Sequence, residues 1–181
     1  QLKTSINTIS RNVDQIVSLT NDILFLQEIE LVLPDFQPVD IVEVVNNVMK
    51  KYENKAKERR VTLKVKDERN IPMVQGDAQS LERAVTALVD NAIKFSAPNG
   101  MVEVRFASFD NKVSIAVEDR GIGIDPQLRP RIFDRFVHLE KNGEELYSGL
   151  GIGLSITRQV IQQHKGSLDV ENTPDKGSKF T

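Results

Sequence analysis

Cysteine and tryptophan are absent from this 181-residue chain, and histidine occurs only twice. Without cysteine there is neither a disulfide framework nor a thiolate zinc site, a composition that fits a reducing compartment. Charge of one sign is lacking too. With 24 Lys and Arg against 26 Asp and Glu the formal charge is −2, so the electrostatic footprint of a nucleic-acid binder is missing and nucleic acid is not an expected partner. No apolar run approaches the roughly 18 residues of a membrane span, and the opening segment QLKTSINTIS has no signal-peptide pattern. These residues are expected to be water-soluble and to make no membrane contact of their own, whatever a longer parent protein does. At 20.4 kDa the chain has room for one ordinary domain plus an extra element.

What is present divides into two unequal pieces. Leu2, Ile6, Ile9, Val13, Ile16, Thr20 and Ile23 follow at alternating steps of four and three, a heptad seam that Val17, Leu24 and Leu26 widen. Such a helix is too apolar to live alone and is expected to pack in a helical bundle. Pro34 and Pro38 then enclose an extended stretch, because a residue before proline is pushed out of helical geometry. The boundary is placed there, giving pieces 1–33 and 34–181. In the second piece a helix is predicted from Asp40, its N-cap, to Arg59, then a strand VTLKV, then a helix from Asp77 to Phe95. Alternating runs at Val102, Val104, Phe106 and Val113, Ile115, Val117 predict an antiparallel hairpin. A polar, glycine-bearing segment, a helix ending at His164 and two short strands, SLDVE and GSKFT, finish the chain. Helices on one face of a mixed sheet make an α+β two-layer arrangement.

Chemistry concentrates where helices meet glycines. Ala87, Asn91 and Lys94 share one helical stripe beside the apolar face, so Asn91 and Lys94 can reach one ligand. A carboxamide oxygen suits a magnesium ion and an ammonium suits a phosphate, although an ordinary solvated face has the same residues. Asp119 ends the second hairpin strand and opens the turn Asp119–Asp125, where Gly121 and Gly123 let backbone approach a flat ring and the carboxylate can accept from an exocyclic amine. A tight turn with a capping Asp would read the same way. Gly149-Leu150-Gly151-Ile152-Gly153 leads into an apolar helix and offers backbone N–H groups to a phosphate, yet it matches neither the dinucleotide fingerprint nor a P-loop.

Taken in order, DNAIKFS at 90–96, DRGIGID at 119–125, IFDRFVHLE at 132–140 and GLGIGLSI at 149–156 resemble the asparagine, first glycine, phenylalanine and second glycine boxes of a sensor histidine kinase's ATP-binding catalytic domain. RNVDQIVSLTNDILFLQEIE resembles the second helix of that family's dimerisation and histidine-phosphotransfer domain, so the likeness covers nearly the whole chain. It implies a Bergerat-type sandwich, three helices over a mixed sheet. It implies that Asn91 holds magnesium, that Lys94 contacts phosphates and that Asp119 recognises the adenine amino group. Gly121 and Gly123 would line the base pocket, while Gly149, Leu150, Gly151 and Gly153 would bring backbone against the triphosphate of ATP. Phe133 and Phe136 would anchor a lid over about 125–148. By the same resemblance Asn91 and Lys94 are the catalytic pair, the full-length protein is a cytoplasmic or membrane-anchored homodimer, and the partner is a response regulator receiver domain.

Two departures from the family pattern stand out. Ala87 occupies the position, one turn before Asn91, where the family usually has a second Asn and related ATPases a glutamate base, so water-directed ATP hydrolysis is not expected. The family's phosphoacceptor His precedes an acidic residue, whereas His138 precedes Leu139 and His164 precedes Lys165. His138 suits lid packing among apolar neighbours, and His164 suits a helix C-terminus, where an imidazole meets the last carbonyls. The first bundle helix, with the acceptor, is therefore expected outside these residues, and the chain is expected to bind ATP without phosphorylating itself. A degenerate nucleotide-binding or dimerisation module, favoured by Ala87, and an anti-sigma-factor-type serine kinase, disfavoured by the helix before Pro34, are the competing readings.

Overall fold

The computed structural model describes residues 2–31, 35–66, 70–137, 140–141, 144–145, 151–173 and 177–181. The chain forms two units, 1–33 and 34–181. The first is one helix, α1 (Leu2–Leu31). Ile6, Ile9, Val13, Ile16 and Ile23 of its seam are each between 44% and 62% exposed.

The second unit begins with strand β1 (Gln37–Val39) and helix α2 (Ile41–Glu58). Asp40 starts α2 as expected, its carboxylate accepting from the N–H groups of Val42 and Glu43 at 3.0 and 3.1 Å. Then come β2 (Thr62–Lys66), β3 (Val74–Gly76) and helix α3 (Ala78–Phe95), whose N-cap Asp77 accepts from Ser80 N–H at 2.9 Å. The hairpin is β4 (Met101–Phe109) and β5 (Lys112–Asp119), joined by Asp110 and Asn111, both at positive φ as a two-residue turn of matching twist requires. Two-residue strands β6 (Glu140–Lys141) and β7 (Glu144–Glu145) pair within the expected lid. Helix α4 (Gly153–Gln163) and strands β8 (Val170–Asn172) and β9 (Ser178–Phe180) complete the unit.

The main sheet runs β2-β4-β5-β9-β8, parallel between β2 and β4 and antiparallel elsewhere. It is a mixed sheet with helices on one face, as expected. Val102, Val104, Phe106 and Val117 of the sheet are buried, as are Val45 and Val48 of α2, Leu88, Val89, Ala92 and Ile93 of α3, and Ile156 and Val160 of α4; together they make the core. A feature not predicted is the small second sheet in which β1 pairs with β3. Three residues are too few for a period-2 pattern to register, so only the pairing itself reveals β3.

His164 is the C-cap of α4, in keeping with the structural role expected of it. Its Nδ1 donates to the Val160 carbonyl at 2.8 Å, its Nε2 accepts from Asp77 N–H at 3.0 Å, and its ring stacks on Phe36 at 4.7 Å. Both ring nitrogens are committed. Exposure of the α1 seam has a solution consequence: sedimentation velocity should show concentration-dependent association, reduced in the Ile9→Lys, Ile16→Lys double variant. A sharp monomer at high concentration would count against it.

Candidate functional site

The site is organised along α3. The stripe expected from the sequence is half-buried at Ala87, Asn91 and Lys94. At its upstream end a Cβ built on Gly153 would lie 3.4 Å from the Ala87 methyl, so the stripe meets the first turn of α4. At its downstream end Ser96 bridges to Gly121 and Ala97 N–H donates to the Arg120 carbonyl at 3.1 Å. One helix thus touches both glycine segments. Lys94 lies with its ammonium 5.0 Å over the Phe95 ring, and its carbonyl accepts from Arg59 at 2.7 Å.

Asp119 closes β5 and is 2% exposed. Continuing the register Val117↔Phe180, Glu118↔Lys179 sets it across from Ser178, whose hydroxyl donates to Asp119 Oδ2. Its Oδ1 is buried without a well-formed hydrogen bond among the described residues. Beside that oxygen runs Gly121: a Cβ there would stand 2.7 Å from Asp119 Oδ1 and 2.1 Å from the Phe95 carbonyl oxygen. Only glycine lets the two backbones come this close. Burial pushes the Asp119 carboxyl above the usual aspartate range, with Glu118 adding to the rise, while hydrogen bonds from Ser178 and from the Gly121 backbone pull the other way. A buried acceptor with a spare lone pair has room for a further donor.

The second glycine segment is tied to the phenylalanine box. Gly151 sits at φ +66, and a Cβ on it would fall 2.3 Å from the Val137 carbonyl oxygen; Phe136 N–H donates to the Gly151 carbonyl at 3.1 Å. The absent side chain at Gly151 therefore makes room for Val137. Helix α4 starts at Ile152 with no side-chain cap, leaving its first turn to other acceptors. Phe133 packs edge-on against Phe180 with centroids 6.4 Å apart and carries Arg158 on its face. Phe136, expected to anchor the lid as well, is 60% exposed at φ +64. Gly149, Leu150 and His138 lie outside the described residues.

Asn91 is the one side chain of the stripe with an oxygen to offer a metal, since Ala87 offers a methyl. Among the described residues no three His, Asp or Glu side chains cluster as ligands. That donor set fits a magnesium ion held mainly by phosphate oxygens and water, and does not fit an all-protein site.

Residues 76–181 match the family model for histidine kinase-, DNA gyrase B- and HSP90-like ATPases. The chain belongs to that family. Its resemblance to the catalytic domain of sensor histidine kinases, carried by the four boxes, is borne out by its relatives. It is 30% identical, over 94% of its length, to the uncharacterised sensor-like histidine kinase ycf26 of Porphyra purpurea, and covers 28% of that protein. The solved structure of the mycobacterial sensor histidine kinase MprB is 31% identical with a TM-score of 0.67, covering 81% of this chain and 94% of that one. Full-length ShkA, solved in complex with AMPPNP, shares the fold with a TM-score of 0.83 at 24% identity, covering 98% of this chain and 37% of that one. This chain thus spans little more than a quarter of the Porphyra relative. The two-layer fold predicted from the sequence is the fold of these ATPase domains.

Ser178 was not singled out in the sequence. Its only signal there is a hydroxyl in the last strand, and nothing local says which residue lies opposite it. The raised Asp119 carboxyl yields a test. Between the ordinary aspartate value and its raised folded value the folded chain holds a proton that the unfolded chain has released, so stability falls as pH rises through that window. Above it the full cost of the buried charge is present. Asp119→Asn removes that cost, and its melting temperature should exceed that of the unmutated protein at neutral pH, the gap closing as pH falls through the window in a thermal unfolding series.

Proposed function

We propose that this chain is the ATP-binding catalytic core of a sensor histidine kinase, transferring the γ-phosphoryl group of ATP to a histidine on a helix outside these 181 residues. The observation that carries the reading is the buried, half-partnered carboxylate of Asp119 beside Gly121. The adenine amino group donates to Asp119 Oδ1, and the ring lies against the Gly121–Gly123 backbone. Gly149, Leu150, Gly151 and Gly153, leading into the side-chain-uncapped start of α4, offer N–H groups and the positive helix end to the phosphates. Lys94 adds a cation. Asn91 would hold magnesium through its carboxamide oxygen, and the ion would neutralise phosphate charge.

The chemistry asks little of the protein beyond position and charge. The incoming histidine nitrogen attacks the γ-phosphorus, the bond to the β,γ-bridging oxygen breaks, and ADP leaves. His164 is spent on Val160 and Asp77, which supports an acceptor from elsewhere. Helix α1 is read as the second helix of the dimerisation and phosphotransfer domain, in a cytoplasmic homodimer that passes the phosphoryl group to an aspartate of a response regulator. ThkA, a histidine kinase with this fold, has been solved in complex with a response regulator protein. The methyl of Ala87 against Gly153, where a second ligating oxygen would strengthen the metal's hold, favours the competing module reading.

Calorimetric titration with AMPPNP, with and without magnesium, separates the two. Binding to the unmutated chain is expected, weakened about 10- to 100-fold in Asp119→Asn by loss of a charged hydrogen bond. Labelled ATP with an added acceptor-helix protein should then put label on histidine and none on this chain alone. Bound nucleotide without label transfer would establish the module instead.

A further inference from the structure

Asn172, the last residue of β8, has no part in the reading above. Its carboxamide makes two hydrogen bonds to the main chain of Ile124, 48 positions earlier. Ile124 N–H donates to Oδ1 at 2.9 Å, and Nδ2 donates to the Ile124 carbonyl at 2.8 Å. One planar amide stands in for a neighbouring strand, supplying the acceptor and the donor that a β-ladder rung would supply. Asn172 is exposed on an edge strand, but Ile124 is 8% exposed, so its main-chain groups depend on the amide more than on water. Gly123, at φ +70, passes alongside; a Cβ there would lie 3.5 Å from Asn172 Oδ1 and 3.3 Å from the Gly177 carbonyl oxygen.

The residue across the ladder completes the pattern. Asn172 and Ser178 are register partners in the β8–β9 pair, and directly opposed residues of an antiparallel pair stand on one face. Ser178 bonds to Asp119 and Asn172 bonds to Ile124. A single terminal hairpin therefore grips both ends of the loop 119–124, one end through a side chain and the other through the backbone.

We propose that Asn172 is a positioning residue for this loop, its amide setting where the Gly121–Ile124 backbone lies against Asp119 and so tuning adenine-nucleotide affinity without contact with the nucleotide. This rests on the reading of Asp119 as the base site. The discriminating variant is Asn172→Asp. As a carboxylate it keeps an acceptor for Ile124 N–H but turns a second acceptor on the Ile124 carbonyl; once protonated, it again offers one acceptor and one donor in the same shape. The charged residues flanking the clamp, Asp125, Arg129, Glu171 and Lys179, are the same in every variant compared.

AMPPNP affinity is to be measured by calorimetry for the unmutated chain, Asn172→Asp and Asn172→Ala, at neutral pH and at about pH 4, in the ordinary aspartate range. Each variant is compared with the unmutated chain at the same pH, because Asp119 titrates as well. Asn172→Asp should bind about tenfold more weakly at neutral pH and recover to within about threefold at acid pH, while Asn172→Ala stays about tenfold weaker at both. Equal affinity of Asn172→Asp at neutral pH, or a deficit of the same size at both pH values, would overturn the proposal. Melting curves at each pH establish that the variants are folded, and if Asn172→Ala is not, the Asn172→Asp pair of measurements decides. If the unmutated chain binds no nucleotide, the base-site reading fails, and the clamp is judged on hydrogen exchange at the Ile124 amide. Faster exchange in Asn172→Asp at neutral pH supports it, and unchanged exchange overturns it.

Discussion

A side chain at Gly121 would collide with the Phe95 carbonyl oxygen at 2.1 Å, and the rest of the site follows from that close approach. Because the backbone after β5 lies flush against the end of α3, the carboxylate of Asp119 is sealed in, with one oxygen on Ser178 and the other without a good partner. Because α3 is one helix of 18 residues, the element that seals Asp119 at one end reaches the start of α4 at Ala87. The two glycine segments are thus held at a separation set by one rigid element. A buried carboxylate is a cost to the empty protein, and it is also what an amino-group ligand can use.

The sheet is single-sided, and its charges show why. Along one rung, Lys64, Glu103, Glu118, Lys179 and Glu171 lie in register from one edge to the other. They alternate with Val102, Val104 and Val117, which carry the core on the helical face. Glu103 is 3% exposed. Burial alone would push its carboxyl up, but Arg105 and Lys66 bring it below the usual range. A face so charged takes no second helical layer, so the helices gather on the other side and the site forms along their edge. The same rung ends at β8 and β9, the hairpin that carries Asn172 and Ser178.

Much of this was legible in the sequence, for reasons of range. Asp40 and Asp77 cap helices that begin one residue later, and a cap acts on N–H groups two or three positions away. The hairpin showed in its alternation, and the apolar stripe of α3 in its period. The four boxes were recognisable in order because each is a short run with its own local chemistry. The base-loop clamp was not: Asn172 meets Ile124 across 48 residues and Ser178 meets Asp119 across 59. Strand β3 and its pairing with β1 were missed because three residues carry no period. The packing partner of Gly151 was not legible either: a Cβ there would fall 2.3 Å from the Val137 carbonyl oxygen, a contact that a run of glycines does not announce.

By itself the sequence determined the longer elements, their order, the two-layer class and the residue types gathered near the site, since helix periods, caps and turn residues act within a few positions of one another. Tertiary structure decided which oxygen of Asp119 meets Ser178 and which has no well-formed partner among the described residues, why Gly121 has no side chain, and that an Asn and a Ser of the last hairpin hold the loop. Those depend on register between distant strands. A hydroxyl or an amide in a strand reads the same whatever lies opposite it, so only the packed sheet distinguishes a solvated side chain from one that fixes the geometry of a site.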